Sequence, residues 1–412
     1  MAPINGDTPV NGHTSVNGHI HGRPSRLYDL PSQEPNIDHL ISLCSNTTSK
    51  SDYPHSKAVV SNIPIYDLTS FSSNDATQVN ALQDEWYHLL HYGPGVFVLK
   101  HFYTDLILID HVNKVFDFII ASEASHARGD HFAASGKNSR IWNSFQKHAE
   151  HDPSSFVQYY SNPWLSHVSE AWLGPAYQIT AQVNIVKPGG APQMPHRDYH
   201  LGFQTAEACS RWPKSVHHTS QFLTLQGAVA HTDMPLESGP TRFLPFSQML
   251  EDGYMLWRTD AVKDYFHANW VSAPLEKGDG VFFNPALFHA AGENQTAPGP
   301  GGIDRSANLL QISSAFGKTM ETINTAKTIE KCWAELRRKA DKAGVTSQEV
   351  VCCVQAMSLG YPFPSNLDNR PPAPGGMAPE SETEMVLRAL KEKWSKEQVL
   401  ASLSQMRTDS SA

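Results

Sequence analysis

A chain of 412 residues, 40% hydrophobic and 18% charged, has the make-up of a globular protein with room for two or three domains or one elaborated β-barrel. Its net charge of −9, with no Lys/Arg cluster, argues against a dedicated nucleic-acid binder, and the lack of any apolar run near about 18 residues argues against a membrane span. Five cysteines (Cys44, Cys209, Cys332, Cys352 and Cys353), an odd number without a CxxC, suit a reducing compartment better than a disulfide framework.

The opening Met1-Ala-Pro-Ile-Asn-Gly has neither the basic nor the apolar region of a secretory signal, and Ser-Ser-Ala412 is not the peroxisomal tripeptide. The cytoplasm is the expected compartment, with the peroxisome as the alternative. Residues 1–50, rich in Asn, Gly, His, Ser and Pro, read as a disordered low-complexity tail that buries too little apolar surface to offset its ordering entropy.

Order is expected from Ser61-Asn-Ile-Pro-Ile-Tyr-Asp67. Asn74 or Asp75 caps a helix carrying Val79, Leu82, Trp86, Leu89 and Leu90 on one face, and Gly95 to Lys100 reads as a buried strand. A second helix is predicted over 105–122. Residues 129–150 mix aromatic and polar side chains without helical period, the pattern of a lid or a structured surface loop. One helix is then expected over 154–173.

From 176 to 317 the pattern changes to short β-rich runs (177–187, 220–230, 241–245, 270–274, 280–284 and 307–316), which predict an antiparallel sandwich or barrel. After 317 the helical pattern returns, at 319–343 and 347–358 and then beyond the Pro-rich connector. Thr346, Ser381 and Ser395 each precede a Glu or Gln by three residues, the spacing of a capping box. The terminal apolar stripes suit packing on the barrel or a homodimer interface. The expected organisation is the tail at 1–50, a β-core domain with N-terminal helices over 51–320 and a helical extension over 321–412.

Within the β region, Gln193-Met-Pro-His-Arg-Asp-Tyr-His-Leu-Gly-Phe203 places His196 and Asp198 two residues apart. On extended backbone both point to the same side and can offer an imidazole nitrogen and a carboxylate oxygen to one metal ion. His-x-Asp is a weak signal in a chain with 21 histidines, and His231-Thr-Asp233 repeats it. Context favours His196, which sits among Pro195, Tyr199 and Phe203, whereas Asp233 lies in a turn-like segment. His200 is a competing ligand or an aromatic packing residue, and His217-His218, in a polar loop, is expected to be solvated.

A third ligand is expected at His289, 91 residues past Asp198 at the end of Glu276-Lys-Gly-Asp-Gly-Val-Phe-Phe-Asn-Pro-Ala-Leu-Phe-His289. Two histidines and one carboxylate on one face, with the opposite positions open, suit non-haem Fe(II). Arg305, sixteen residues further on and just before a strand, can grip the far carboxylate of a dicarboxylate chelated at that metal.

The order of these segments resembles the phytanoyl-CoA dioxygenase family of Fe(II)/2-oxoglutarate oxygenases. Residues 276–289 are similar to that family's distal-histidine segment, and Gly239-Pro-Thr-Arg-Phe-Leu-Pro-Phe-Ser247 resembles its Asn-Gly-Ala-Thr-Arg-x-x-Pro-Gly-Ser turn. The resemblance implies a double-stranded β-helix (a cupin-like jelly roll) and iron held by His196, Asp198 and His289. It further implies 2-oxoglutarate clamped by Arg305, with Gln193 and Thr241 assisting, and O2 as the other cosubstrate. Ser238 and Phe246 depart from the family's Asn and Gly. An aspartate at 198 implies hydroxylation rather than halogenation, since the related halogenases lack that carboxylate.

The expected activity is oxidation of an unactivated C–H bond in a small organic molecule, in natural-product or specialised metabolism. The alternatives are a metal-dependent hydrolase or isomerase on a cupin-like barrel, which would need no Arg anchor, and a non-catalytic jelly-roll binding module.

Overall fold

The computed structural model describes residues 24–123 and 138–411. Its ten strands are β1 (Ala58–Val60), β2 (Ile63–Asp67), β3 (Val96–Lys100), β4 (Asn138–Ile141), β5 (Gln178–Val186), β6 (Thr224–Ala230), β7 (Arg242–Phe243), β8 (Gly280–Phe283), β9 (His289–Ala290) and β10 (Arg305–Ser313). Eight of them form one mixed sheet in the order β1-β2-β3-β8-β6-β10-β5-β4, in which β2 and β3 are the parallel pair. The small sheet, β7 with β9, is extended by single bridges at His196–His289 and Phe243–Val271. This is the two-sheet jelly roll, open rather than closed into a barrel.

Strand alternation splits the core in two. Val96 and Val98 of β3 join Ala228, Phe243, Val281 and Phe283 between the sheets. Phe97 and Leu99, pointing the other way, join Phe282, Val229 and Leu310 in a larger cluster under the helices. A sheet apolar on both faces needs covering on both, and the helices supply the second cover.

That cover explains the C-terminal region. Ile329, Trp333, Leu336, Val354, Val386, Leu390, Val399 and Leu403 are all buried in the same cluster as the sheet's outer face. The terminal stripes therefore pack within the chain, and a homodimer would need a different surface. Capping boxes form at Ser381 with Glu384 and at Ser395 with Gln398. At the third predicted opener the N-cap is Ser347 instead of Thr346, and its side chain makes no capping bond.

Other expectations are corrected. Residues 24–50 are not all tail: Asp38–Cys44 is a helix whose Leu40 is fully buried against Leu201, Leu244 and Phe288, with Ile37, Leu43 and Cys44 packed alongside. The spacing of 37, 40, 43 and 44 is a short helical stripe within a polar stretch. The reading of 1–23 lies outside the described residues.

The expected loop at 129–150 also falls partly outside them. From 138 it consists of β4 and a helix, Ser144–His151. The single helix at 154–173 is two, Pro153–Tyr159 and Pro163–Leu173, because Asp152-Pro153 and Asn162-Pro163 each cap and start a new one. Among the described residues no helix is long and apolar enough to cross a membrane, and the five cysteines are unpaired.

Candidate metal centre

His196 and His289 come together through the backbone, exchanging N–H to O bonds of 2.9 and 3.1 Å across the single bridge of the small sheet. Each imidazole donates its Nδ1 proton to a carbonyl two residues earlier, His196 to Met194 (2.8 Å) and His289 to Leu287 (2.9 Å). A carbonyl only accepts, so the proton resides on Nδ1 and the Nε2 lone pair is free for a cation. The two Nε2 atoms lie 3.6 and 3.8 Å from the Asp198 carboxylate oxygens. The three ligand atoms are all within 4.8 Å of one another, close enough for one ion to reach them all.

Asp198 is fixed on both sides. Its N–H donates to Pro285 O at 3.0 Å, and its Oδ2 accepts from Gln226 Nε2 at 2.5 Å. Burial raises the Asp198 pKa, but His196, His289 and Gln226 outweigh it and hold the carboxyl well below its usual range. Burial and the neighbouring His289 push His196 down. Both groups are thus biased to the forms that bind metal.

Between the two ligands, Arg197 turns the opposite way and is 2% exposed. It donates to Ser247 O and Leu250 O and lies 4.6 Å from the Phe288 ring centroid. Burial lowers its pKa to about 10. A Cβ on Gly253 would come within 2.0 Å of Arg197 Cζ, so that glycine makes room for the guanidinium. Arg197 ties the ligand segment to the 247–250 turn, a role the sequence pattern did not suggest.

A cavity of about 480 Å³ opens from the triad between the two sheets. Gln193, Thr241 and Arg305 all line it. Arg305 is 6% exposed, and its Nη1 donates to Ser238 O (3.1 Å) and Gly292 O (3.2 Å). Among the described residues its Nε and Nη2 have no partner and no carboxylate pairs with it; burial lowers its pKa to about 10. Gln193 pairs with Ala291 through both its N–H (3.0 Å) and its Oε1 (3.3 Å).

Of the two departures, Ser238 serves Arg305 through its carbonyl and turns its hydroxyl to Pro235 O. Phe246 has φ +69°, a conformation that favours the glycine the family has there.

The competing histidines have other occupations. His231 is fully buried, with Nδ1 at 2.7 Å from Asn113 Oδ1 and Nε2 at 3.0 Å from the Tyr159 hydroxyl, and burial drives its pKa down to about 3. Asp233 accepts from Lys277 N in a turn. The His200 ring lies 4.0 Å from that of Tyr199, a packing role. His217 is not solvated: it is buried in the helix Lys214–Ser220 with Nε2 at 3.0 Å from Cys209 O, while His218 is exposed. The segment that looked like a polar loop is amphipathic over a single short helix.

Four further cavity residues come from strands. Gln182 and Asn184 of β5 face the cavity, as do Gln226 of β6 and Gln311 of β10. Alternating polar residues at 178, 180, 182 and 184 were the signal for the first two, but period alone does not say which face is the site.

A family model described as Phytanoyl-CoA dioxygenase (PhyH) matches residues 78–299, more than half of the chain. The chain belongs to the phytanoyl-CoA dioxygenase family. Its match takes in Gln193, the three candidate ligands and Thr241, and stops six residues before Arg305.

Among curated proteins the chain is similar to Dioxygenase andF of Emericella variicolor (27% identical over 33% of this chain and 44% of that protein) and Dioxygenase trt7 of Aspergillus terreus (26% over 37% and 46%). The match thus spans under half the length of these relatives. Solved structures similar to it include the non-haem α-ketoglutarate-dependent epimerase SnoN (16% identical, TM-score 0.41, 57% of this chain and 82% of that one) and carbocyclase SnoK (16%, 0.41, 57% and 86%), both from nogalamycin biosynthesis.

Family membership brings Fe(II) and 2-oxoglutarate as cofactors, and the residues present fit both. The donor set is two imidazoles with free Nε2 atoms and one carboxylate, and Arg305 is a buried cation in the same cavity without a counter-ion among the described residues.

Proposed function

We propose that this phytanoyl-CoA dioxygenase family member is an Fe(II)/2-oxoglutarate-dependent dioxygenase that oxidises an unactivated C–H bond of a small organic molecule. With hydroxylation as the outcome, substrate, 2-oxoglutarate and O2 become alcohol, succinate and CO2. The observation that carries this reading is Arg305, a buried guanidinium on the wall of the cavity that holds the triad, which no carboxylate among the described residues meets and which has Nε and Nη2 to offer together to a ligand carboxylate. A metal-dependent hydrolase or isomerase would need no such anchor.

Each residue then has a role. His196, Asp198 and His289 would hold the iron at the wall of the cavity that cosubstrate and oxygen can enter. Arg305 would hold the distal carboxylate of 2-oxoglutarate, with Gln193 and Thr241 assisting from the same cavity wall. Fe(II) with 2-oxoglutarate as cosubstrate would supply the oxidising power for the C–H bond. Val98, Phe243, Val281 and Phe283 keep the inner wall apolar and water-poor. The cavity volume suits a small substrate, and the resemblance of Gln193 and Thr241 to cosubstrate contacts of the family's fungal natural-product members supports a place in natural-product or specialised metabolism.

The test is anaerobic titration of the Fe(II)-loaded protein with 2-oxoglutarate. A visible charge-transfer band that saturates at one equivalent supports the reading. Absence of that band, or native-like purification with zinc and no response to 2-oxoglutarate, refutes it.

A further inference from the structure

We infer that Gln226 and Gln311 form a substrate-anchoring subsite for a hydrogen-bond donor, a hydroxyl or amine, on an otherwise apolar small molecule. This rests on the dioxygenase reading of the same cavity. The two residues are directly opposite in the β6–β10 register, and that register sends both side chains to the cavity face. They are 3% and 7% exposed, and the side-chain carbonyl oxygen of each is buried without a partner among the described residues.

The orientation of Gln226 is fixed chemically. Its NH2 donates to the Asp198 carboxylate, which only accepts, so Oε1 must face away as an acceptor. An acceptor kept dry is unfavourable, and a donor on the substrate would remove that cost. Further out, Met194 and Phe203 flank the ligand segment, line the cavity and are 57% and 52% exposed, beside Arg258, whose guanidinium donates to the carbonyls of Gly202 and Gln204. A pair of amides beside Asp198 with exposed apolar side chains further out fits a hydrophobic scaffold whose alcohol or amine is held beside the reacting carbon.

The probes are 4-tert-butylcyclohexanol and its methyl ether, titrated by ligand-observed NMR into the full-length protein loaded with diamagnetic Zn(II) and 2-oxoglutarate. The alcohol should bind about tenfold more tightly than the ether, the effect of one buried hydrogen bond. Q311L should reduce that preference to under twofold, and Q311E should shift it toward the corresponding amine. Equal binding of alcohol and ether to the wild type, no binding of either, or an undiminished preference in Q311L would overturn the subsite. Binding of 2-oxoglutarate, followed separately by isothermal titration, tests the dioxygenase reading. Its failure with the alcohol preference intact would sink that reading and leave the donor subsite standing.

Discussion

Replacing Arg305 by methionine should make the protein more stable and its cosubstrate site nearly useless. Burial lowers the guanidinium pKa from 12.5 to about 10, a desolvation cost of about 3 kcal/mol at 1.36 kcal/mol per unit. No carboxylate among the described residues offsets it, and only Nη1 is hydrogen-bonded. Methionine fills a similar volume without the charge, so the metal-loaded, 2-oxoglutarate-free protein should gain about 1–3 kcal/mol.

The same change removes two charge-assisted bonds to the distal carboxylate, at roughly 1.5–3 kcal/mol each. Together these amount to about 3–6 kcal/mol, or on the order of a 100- to 20,000-fold weaker 2-oxoglutarate Kd. Thermal melts with and without 2-oxoglutarate read both effects at once. The wild type should gain about 2.7 kcal/mol at a hundredfold excess over Kd, while the variant should start higher and gain nothing at the same concentration. A variant that binds 2-oxoglutarate within threefold of wild type, or one that melts lower without ligand, would refute the reasoning.

Three other changes probe the remaining assignments. His196→Ala or Asp198→Ala should bring iron content after anaerobic loading close to zero and abolish substrate-coupled succinate, and full iron occupancy in either would remove the residue from the metal site. His231→Gln should leave iron content untouched but lower stability by about 2–4 kcal/mol, since two buried partners lose their bonds; loss of iron would mean that the wrong His-x-Asp had been chosen.

Acid should weaken the fold through the same histidine. The folded pKa of His231 is about 3 against 6.5 for the free group, so below pH 6.5 the unfolded chain takes up a proton that the folded one refuses. Its stability contribution is complete above pH 6.5 and is lost as pH falls from there toward 3. His148, also pushed to about 3 by burial, adds a second proton. Urea midpoints at pH 7 and pH 5 should therefore fall more in the wild type than in His231→Gln, and equal slopes would contradict the assignment. Phe246→Gly should relieve a left-handed backbone worth about 1–2 kcal/mol but lose a buried ring worth more, for a net loss of about 1–2 kcal/mol in chemical denaturation; a net gain would show that the ring contributes little.

Much of the candidate site was legible in the chain because local covalent geometry governs it. Two residues apart on extended backbone is enough to bring His196 and Asp198 to one side, and the segment ending in His289 and the later Arg305 were distinctive enough to read. Helices with clear stripes and Asx or Ser caps, such as Ala76–His91 and Glu382–Lys391, were legible for the same reason. Weak stripes were not: the helix around Leu40 and the buried His217 lie in polar composition, and their burial depends on surfaces contributed from far along the chain.

The sequence by itself therefore determined the candidates for meeting a metal and a carboxylate, since spacing and residue type are local properties. Which His-x-Asp stands free for a metal was settled by packing, which gives both nitrogens of His231 to Asn113 and Tyr159 and leaves the Nε2 atoms of His196 and His289 facing Asp198. Gln226 and Gln311 are 85 residues apart, and only the antiparallel register of β6 with β10 puts them side by side beneath the metal ligands. Register is a long-range property, and a slip of one residue would turn both amides to the helical side.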